Sequence, residues 1–96
     1  MSADLDAEGE FVVAYELGLH ARPAGRFVAL AGRFRSEVSV GRNGEWVSGR
    51  SVLSLLSLAA GRGTRLCIRA VGEDAEEAVE ALGSLLESAE DPPPTP

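Results

Sequence analysis

The sequence holds one cysteine, Cys67, and one histidine, His20, among 96 residues. A lone cysteine excludes an intramolecular disulfide and fits a reducing compartment. With no base or metal ligand patterned around it, Cys67 reads as a small apolar strand residue, and no metal site is expected. Long apolar runs are also absent. None approaches the roughly 20 residues of a membrane-spanning helix, and Met1–Glu10 has neither the basic nor the apolar region of a signal peptide. Positive charge is scarce, with 9 basic against 15 acidic residues and a net charge of −6. That balance argues against a general nucleic-acid binder. The length allows one domain with little room for a deep cleft. A small cytoplasmic domain is the expectation.

What is there falls into alternating periods. Met1–Gly9 (MSADLDAEG) reads as a flexible acidic extension, residues 10–88 as the domain, and residues 89–96, which end in DPPPTP, as a Pro-rich flexible tail. Phe11–Tyr15 is aromatic and β-branched and predicts a strand. Phe27, Leu30, Ala31 and Phe34 recur at helical spacing and predict a helix over 24–34. Glu37–Val40 alternates, Asn43-Gly44 is a hairpin signal, and Glu45–Val47 is the returning strand. Ser51–Ala60 reads as a short apolar helix. Thr64–Val71 alternates, with Leu66, Ile68 and Ala70 inward and Arg65, Cys67 and Arg69 outward. Asp74 is the expected N-cap of a last helix carrying Ala75, Ala78, Val79, Leu82, Leu85 and Leu86 on one stripe. The order βαββαβα predicts an α+β fold. Its four-stranded, mostly antiparallel sheet is covered by helices on one face and open on the other.

His20 stands in LGLHARPAGRF, after a strand and Gly18 and before a helix. A helix N-terminus offers backbone N–H groups without helical partners and a favourable dipole for anions. Pro23 is tolerated in a first turn, where its missing N–H breaks no helical bond. Arg22 adds a fixed charge and a forked donor array suited to phosphate. An imidazole held there is a nitrogen nucleophile beside a phosphate receptor. The plainer alternative is a helix-cap histidine with no further role.

These residues carry a resemblance. Gly18-Leu-His-Ala-Arg-Pro-Ala24 resembles the phosphorylation signature of the HPr family, the histidine-containing phosphocarriers of the bacterial phosphoenolpyruvate-dependent phosphotransferase system. Arg50–Leu58 resembles the second signature of that family, around its regulatory serine, and Gly61–Thr64 and Gly72–Asp74 recur at the family's spacings. The match runs without gaps over roughly Glu10 to Ser88. It implies the family's open-faced β-sandwich. It also implies phosphorylation of His20 on Nδ1 by enzyme I, delivery to EIIA-type proteins, and contact of Arg22 with the phosphoryl group and partners. Gly18, Leu19, Ala21, Pro23 and Ala24 would form the phosphoryl-binding loop. Ser51 matches the serine used by HPr kinase/phosphorylase and read by regulators; it is also a good N-cap. No cofactor is implied.

The short helix has apolar residues on two sides. At roughly 100° per residue, Leu55 and Leu58 share one side and suit the core, while Val52, Leu53 and Leu56 share the other and suit partner docking. Arg26, with Arg22, Arg33, Arg35 and Arg50, gives the first two-thirds of the chain a basic character that the Glu-rich last helix lacks. Glu16 reads as a solvated strand end.

Some positions depart from the family. Leu17 replaces a polar residue, Ala29 and Gly32 stand where several members have lysines, and Ala59 replaces a glycine, which predicts a slightly longer helix. Without heptads or a long exposed strand, a monomer is expected. The alternatives are a nitrogen-type or regulatory relative, a docking module without phosphotransfer, and an enzyme with a phosphohistidine intermediate. No acid/base constellation supports the last.

Overall fold

In the computed structural model, which describes residues 6–88, seven elements follow in the order expected. They are β1 (Asp6–Val12), α1 (Ala21–Ala31), β2 (Glu37–Arg42), β3 (Glu45–Ser48), α2 (Val52–Leu56), β4 (Arg65–Val71) and α3 (Ala75–Glu87). The strands form one sheet in the order β1-β4-β2-β3, with every pairing antiparallel. The Pro-rich segment lies outside the described residues.

β1 is displaced from its expected place. It begins at Asp6, inside the stretch read as a flexible extension, and ends at Val12 rather than Tyr15. Seven register pairs bind it to β4, from Asp6 opposite Val71 to Val12 opposite Arg65. Its inward residues, Ala7, Gly9 and Phe11, alternate with exposed Asp6, Glu8 and Glu10. Glycines make room for the inward Phe11 ring: a Cβ on Gly83 of α3 would stand 2.1 Å from it, and one on Gly9 2.9 Å from it and 3.1 Å from Val79. Alanine, glycine and acids are poor strand formers, so tertiary packing overrides propensity here. β1 also lies at a sheet edge, so a long edge strand is present after all.

Beyond β1, Val13 and Tyr15 are buried outside any strand. The Val13 N–H donates to Thr64 O at 2.9 Å, the Ala14 N–H to Leu86 O at 3.1 Å, and the Tyr15 hydroxyl to Leu85 O. The β2–β3 turn has φ of 52° at Asn43 and 84° at Gly44, the left-handed pair of a type I′ hairpin.

Helices cover one sheet face. Phe27 of α1, Leu55 of α2, Leu82 and Leu86 of α3, and Leu66 and Ile68 of β4 are fully buried together. On the open face the outward residues of β4 form a polar ladder. Glu8 accepts from Cys67 Sγ and Arg69 Nε, each at 3.3 Å, and Arg65 pairs with Glu10 at 3.6 Å. The Arg69 guanidinium also lies 4.7 Å from the centre of the Trp46 ring, a cation–π distance. Partial burial, with Glu8 beside it, pushes the Cys67 thiol up to about 11. It is therefore a poor nucleophile near neutral pH.

α3 begins where expected, but Asp74 makes no side-chain bond to its own helix. Its carboxylate instead accepts the Ser36 hydroxyl at 2.6 Å, the Ser36 N–H at 3.0 Å and the Arg35 N–H at 2.9 Å. It ties the start of α3 to the turn before β2. The Ser36 hydroxyl, followed by the Arg35 N–H, holds this carboxyl below its ordinary 3.8.

Candidate functional site

His20 is delivered by a turn that only glycine fits. Gly18 has φ +75°, and a Cβ there would stand 2.7 Å from Ala60 O and 2.8 Å from Gly61 Cα. The Gly18 N–H donates to Tyr15 O at 2.9 Å, the Leu19 N–H to Ala60 O at 2.8 Å, and the His20 N–H to Gly18 O at 2.9 Å. The loop is thus strapped to the segment that follows α2, and Leu19 is buried as its anchor.

His20 is the N-cap residue of α1, in extended conformation and half-buried, and its side chain makes no capping bond. α1 begins three residues before its expected start, which keeps Pro23 within the first turn. Pro23 has no N–H, and the Ala24 N–H donates to His20 O at 3.0 Å. The first-turn N–H groups left for a ligand are therefore those of Ala21 and Arg22. Both residues are exposed, whereas Pro23 and Ala24 are buried and fix the helix to the core. Arg26, half-buried, follows Arg22 by four residues and shares its helix face.

α2 is shorter than expected, five residues rather than the span 51–60. Ser51 is its N-cap, and the Ser51 Oγ accepts the Ser54 N–H at 3.1 Å. The two sides of the helix separate as the spacing predicts. Leu55 and Leu58 are buried, Leu53 is 79% exposed, and Val52 and Leu56 are half-buried. Leu17, in the histidine loop, is 77% exposed. Large apolar side chains thus stand in solvent both in that loop and on α2, and α1 packs against α2. Ala59 does not lengthen the helix: it takes φ +50°, the conformation a glycine would favour, and ends it.

The arginines gather less tightly than the sequence suggests. Arg22 and Arg26 adjoin His20, but Arg33 and Arg35 lie beyond the far end of α1. Arg35 pairs with Glu73 at 3.4 Å, and Arg50 donates to Ser36 O at 3.3 Å and to Phe34 O at 3.5 Å. Ala29 and Gly32 are exposed and bring no charge to that face. Sequence reasoning missed Arg42, which donates to Leu58 O at 2.7 Å and to Ala59 O at 2.8 Å behind the histidine loop. Among the described residues no cluster of three or more His, Cys, Asp or Glu side chains is placed to hold a metal ion. No helix among them is long and apolar enough to cross a membrane.

Comparison with known proteins gives the family. Residues 7–88 match the family described as "PTS HPr component phosphorylation site". The phosphocarrier protein HPr of Pseudomonas aeruginosa is 46% identical over 78 residues, covering 80% of this chain and 87% of that protein. The HPr-like protein Crh of Halalkalibacterium halodurans is 40% identical over 80 residues, covering 83% of this chain and 95% of its own. The crystal structure of a phosphocarrier protein HPr from Bacillus anthracis superposes with a TM-score of 0.81 at 37% identity, covering 84% of this chain and 96% of that one. The chain belongs to the HPr family, the phosphocarriers of the bacterial phosphotransferase system.

Proposed function

We propose that His20 accepts a phosphoryl group from phosphorylated enzyme I and passes it to EIIA-type proteins, the chain itself being a carrier rather than an enzyme. One observation carries the reading. The sole histidine is the N-cap of α1 without a capping bond, facing a first turn whose Ala21 and Arg22 N–H groups have no helical acceptor. In the transfer, the lone pair of His20 Nδ1 forms the new bond to phosphorus as the donor's bond breaks, and the electron pair of that bond returns to the donor. The two N–H groups and the Arg22 guanidinium bind the oxygens, whose charge they meet with little reorganisation. The partner supplies the other half of the site, so the carrier needs no acid/base pair of its own.

Leu17, Val52, Leu53 and Leu56, with Arg22 and Arg26 on the adjoining α1, suit the docking of acidic partners with an apolar centre. Ser51 suits regulation by HPr kinase/phosphorylase, since phosphate there would put charge beside the exposed Leu53. A regulatory relative would use the same chemistry toward other recipients. The carrier is proposed to act in the cytoplasm and as a monomer.

The test is intact mass after incubation with phosphoenolpyruvate and enzyme I. One acid-labile phosphoryl group, absent from His20→Ala, is expected. An unmodified chain with several competent enzyme I proteins, or an equally modified variant, would overturn the reading; partner binding unchanged by His20→Ala would favour a docking module.

A further inference from the structure

α2 ends in a conformation its sequence does not favour. Ala59 has φ +50°, where an L-residue is strained, and the carbonyls of Leu58 and Ala59 lie past the last helical turn. One side chain from another element meets both. Arg42, the last residue of β2, donates from Nη1 to Leu58 O at 2.7 Å and to Ala59 O at 2.8 Å. The next carbonyl, Ala60 O, accepts the Leu19 N–H at 2.8 Å, and Ala60 O and Gly61 Cα leave no room for a Cβ on Gly18. His20 follows directly. A continuous backbone path therefore runs from the Arg42 guanidinium through the strained Ala59 to the residue before the histidine.

We propose that Arg42 is a positioning residue for the histidine loop. It holds the 58–60 turn in its left-handed form and so fixes the carbonyl on which Leu19 hangs. Arg42 takes no part in the chemistry, and the inference rests on His20 being the phosphoryl acceptor. Charge-assisted bonds to two adjacent carbonyls are stronger than neutral ones, and they compensate a residue that lacks glycine's freedom. A displaced Ala60 carbonyl would shift His20 relative to the Ala21 and Arg22 N–H groups. Transfer depends steeply on such alignment.

The experiment uses the full chain with Arg42→Met and Arg42→Lys, and Ala59→Gly alone and combined with Arg42→Met. Amide exchange is followed at Leu19, with Ile68 and Ala70 in β4 reporting global opening. The kcat and KM for acceptance from phosphorylated enzyme I are measured separately. Arg42→Met is expected to speed Leu19 exchange about tenfold beyond any change at Ile68 and Ala70. It is expected to lower kcat by about tenfold with KM little changed. Arg42→Lys should keep most of both, and Ala59→Gly should restore part of the loss in Arg42→Met, because glycine holds the turn unaided. Wild-type exchange at Leu19 in Arg42→Met, or exchange that rises equally at all three amides with unchanged kcat, would overturn the proposal. If the wild-type chain accepts no phosphoryl group, the reading of His20 fails instead, and Leu19 exchange still decides whether Arg42 holds the loop.

Discussion

The three helices of this domain start in different ways. At α2, Ser51 spends its hydroxyl oxygen on the Ser54 N–H of its own helix. At α3, Asp74 spends its carboxylate on Arg35 and Ser36 of a neighbouring turn. At α1, the N-cap is His20, whose ring caps nothing in the first turn. Only the Ser51 start is capped by its own side chain; Asp74 anchors α3 to another turn instead, and the α1 start leaves backbone donors and exposed Arg22 for something that arrives from outside. Exposed donors at a helix end are met by water, and an anionic ligand can take its place.

Breaking the turn that delivers His20 should have the largest effect. Gly18→Ala adds a Cβ 2.7 Å from Ala60 O at φ +75°. Left-handed strain and overpacking together should cost about 3 kcal/mol in urea unfolding, with phosphoryl acceptance reduced. Next comes a direct contrast between two helix starts. Ser51→Ala should cost about 1 kcal/mol of stability and leave acceptance intact. His20→Ala should abolish acceptance and cost less than half as much, about 0.5 kcal/mol or below. Equal stability losses would erase the contrast.

The smallest effect concerns α3. The folded pKa of Asp74 lies below its ordinary 3.8, so its contribution is complete above that value and is lost as pH falls through the folded pKa. Stability measured from pH about 5 to 2 should therefore fall more steeply in the wild type than in Asp74→Asn. Parallel curves would mean that the carboxylate is not favoured by Ser36 and Arg35.

Much of this was legible in the sequence, for local reasons. Asn43-Gly44 demanded its turn, Ser51 its cap, and the spacing of Leu53, Leu55 and Leu58 separated exposed from buried sides, because each signal acts within a few residues. What escaped depends on distant partners. The start of β1 is not legible because Asp6–Glu10 has no strand-like composition and is held by β4 and by the Phe11–Gly83 contact. Asp74 looked like a cap until Ser36, 38 residues away, competed for it. Ala59 has the look of a helix extender because nothing nearby announces Arg42, 17 residues back, bonding the turn it forms. The order of the residues around His20 is enough to single them out as a candidate site, but which N–H groups remain for a ligand follows only from the observed start of α1.

The central claim is that the first turn of α1 receives the phosphoryl group of His20. Its most direct test is the change in amide ¹H and ¹⁵N shifts when the isotope-labelled chain is phosphorylated by enzyme I. Phosphorus is expected on the His20 ring, with the Ala21 and Arg22 amides moving furthest and Ser54 unmoved. Phosphorylation elsewhere, or at His20 with the Ala21 and Arg22 amides unchanged, would contradict it.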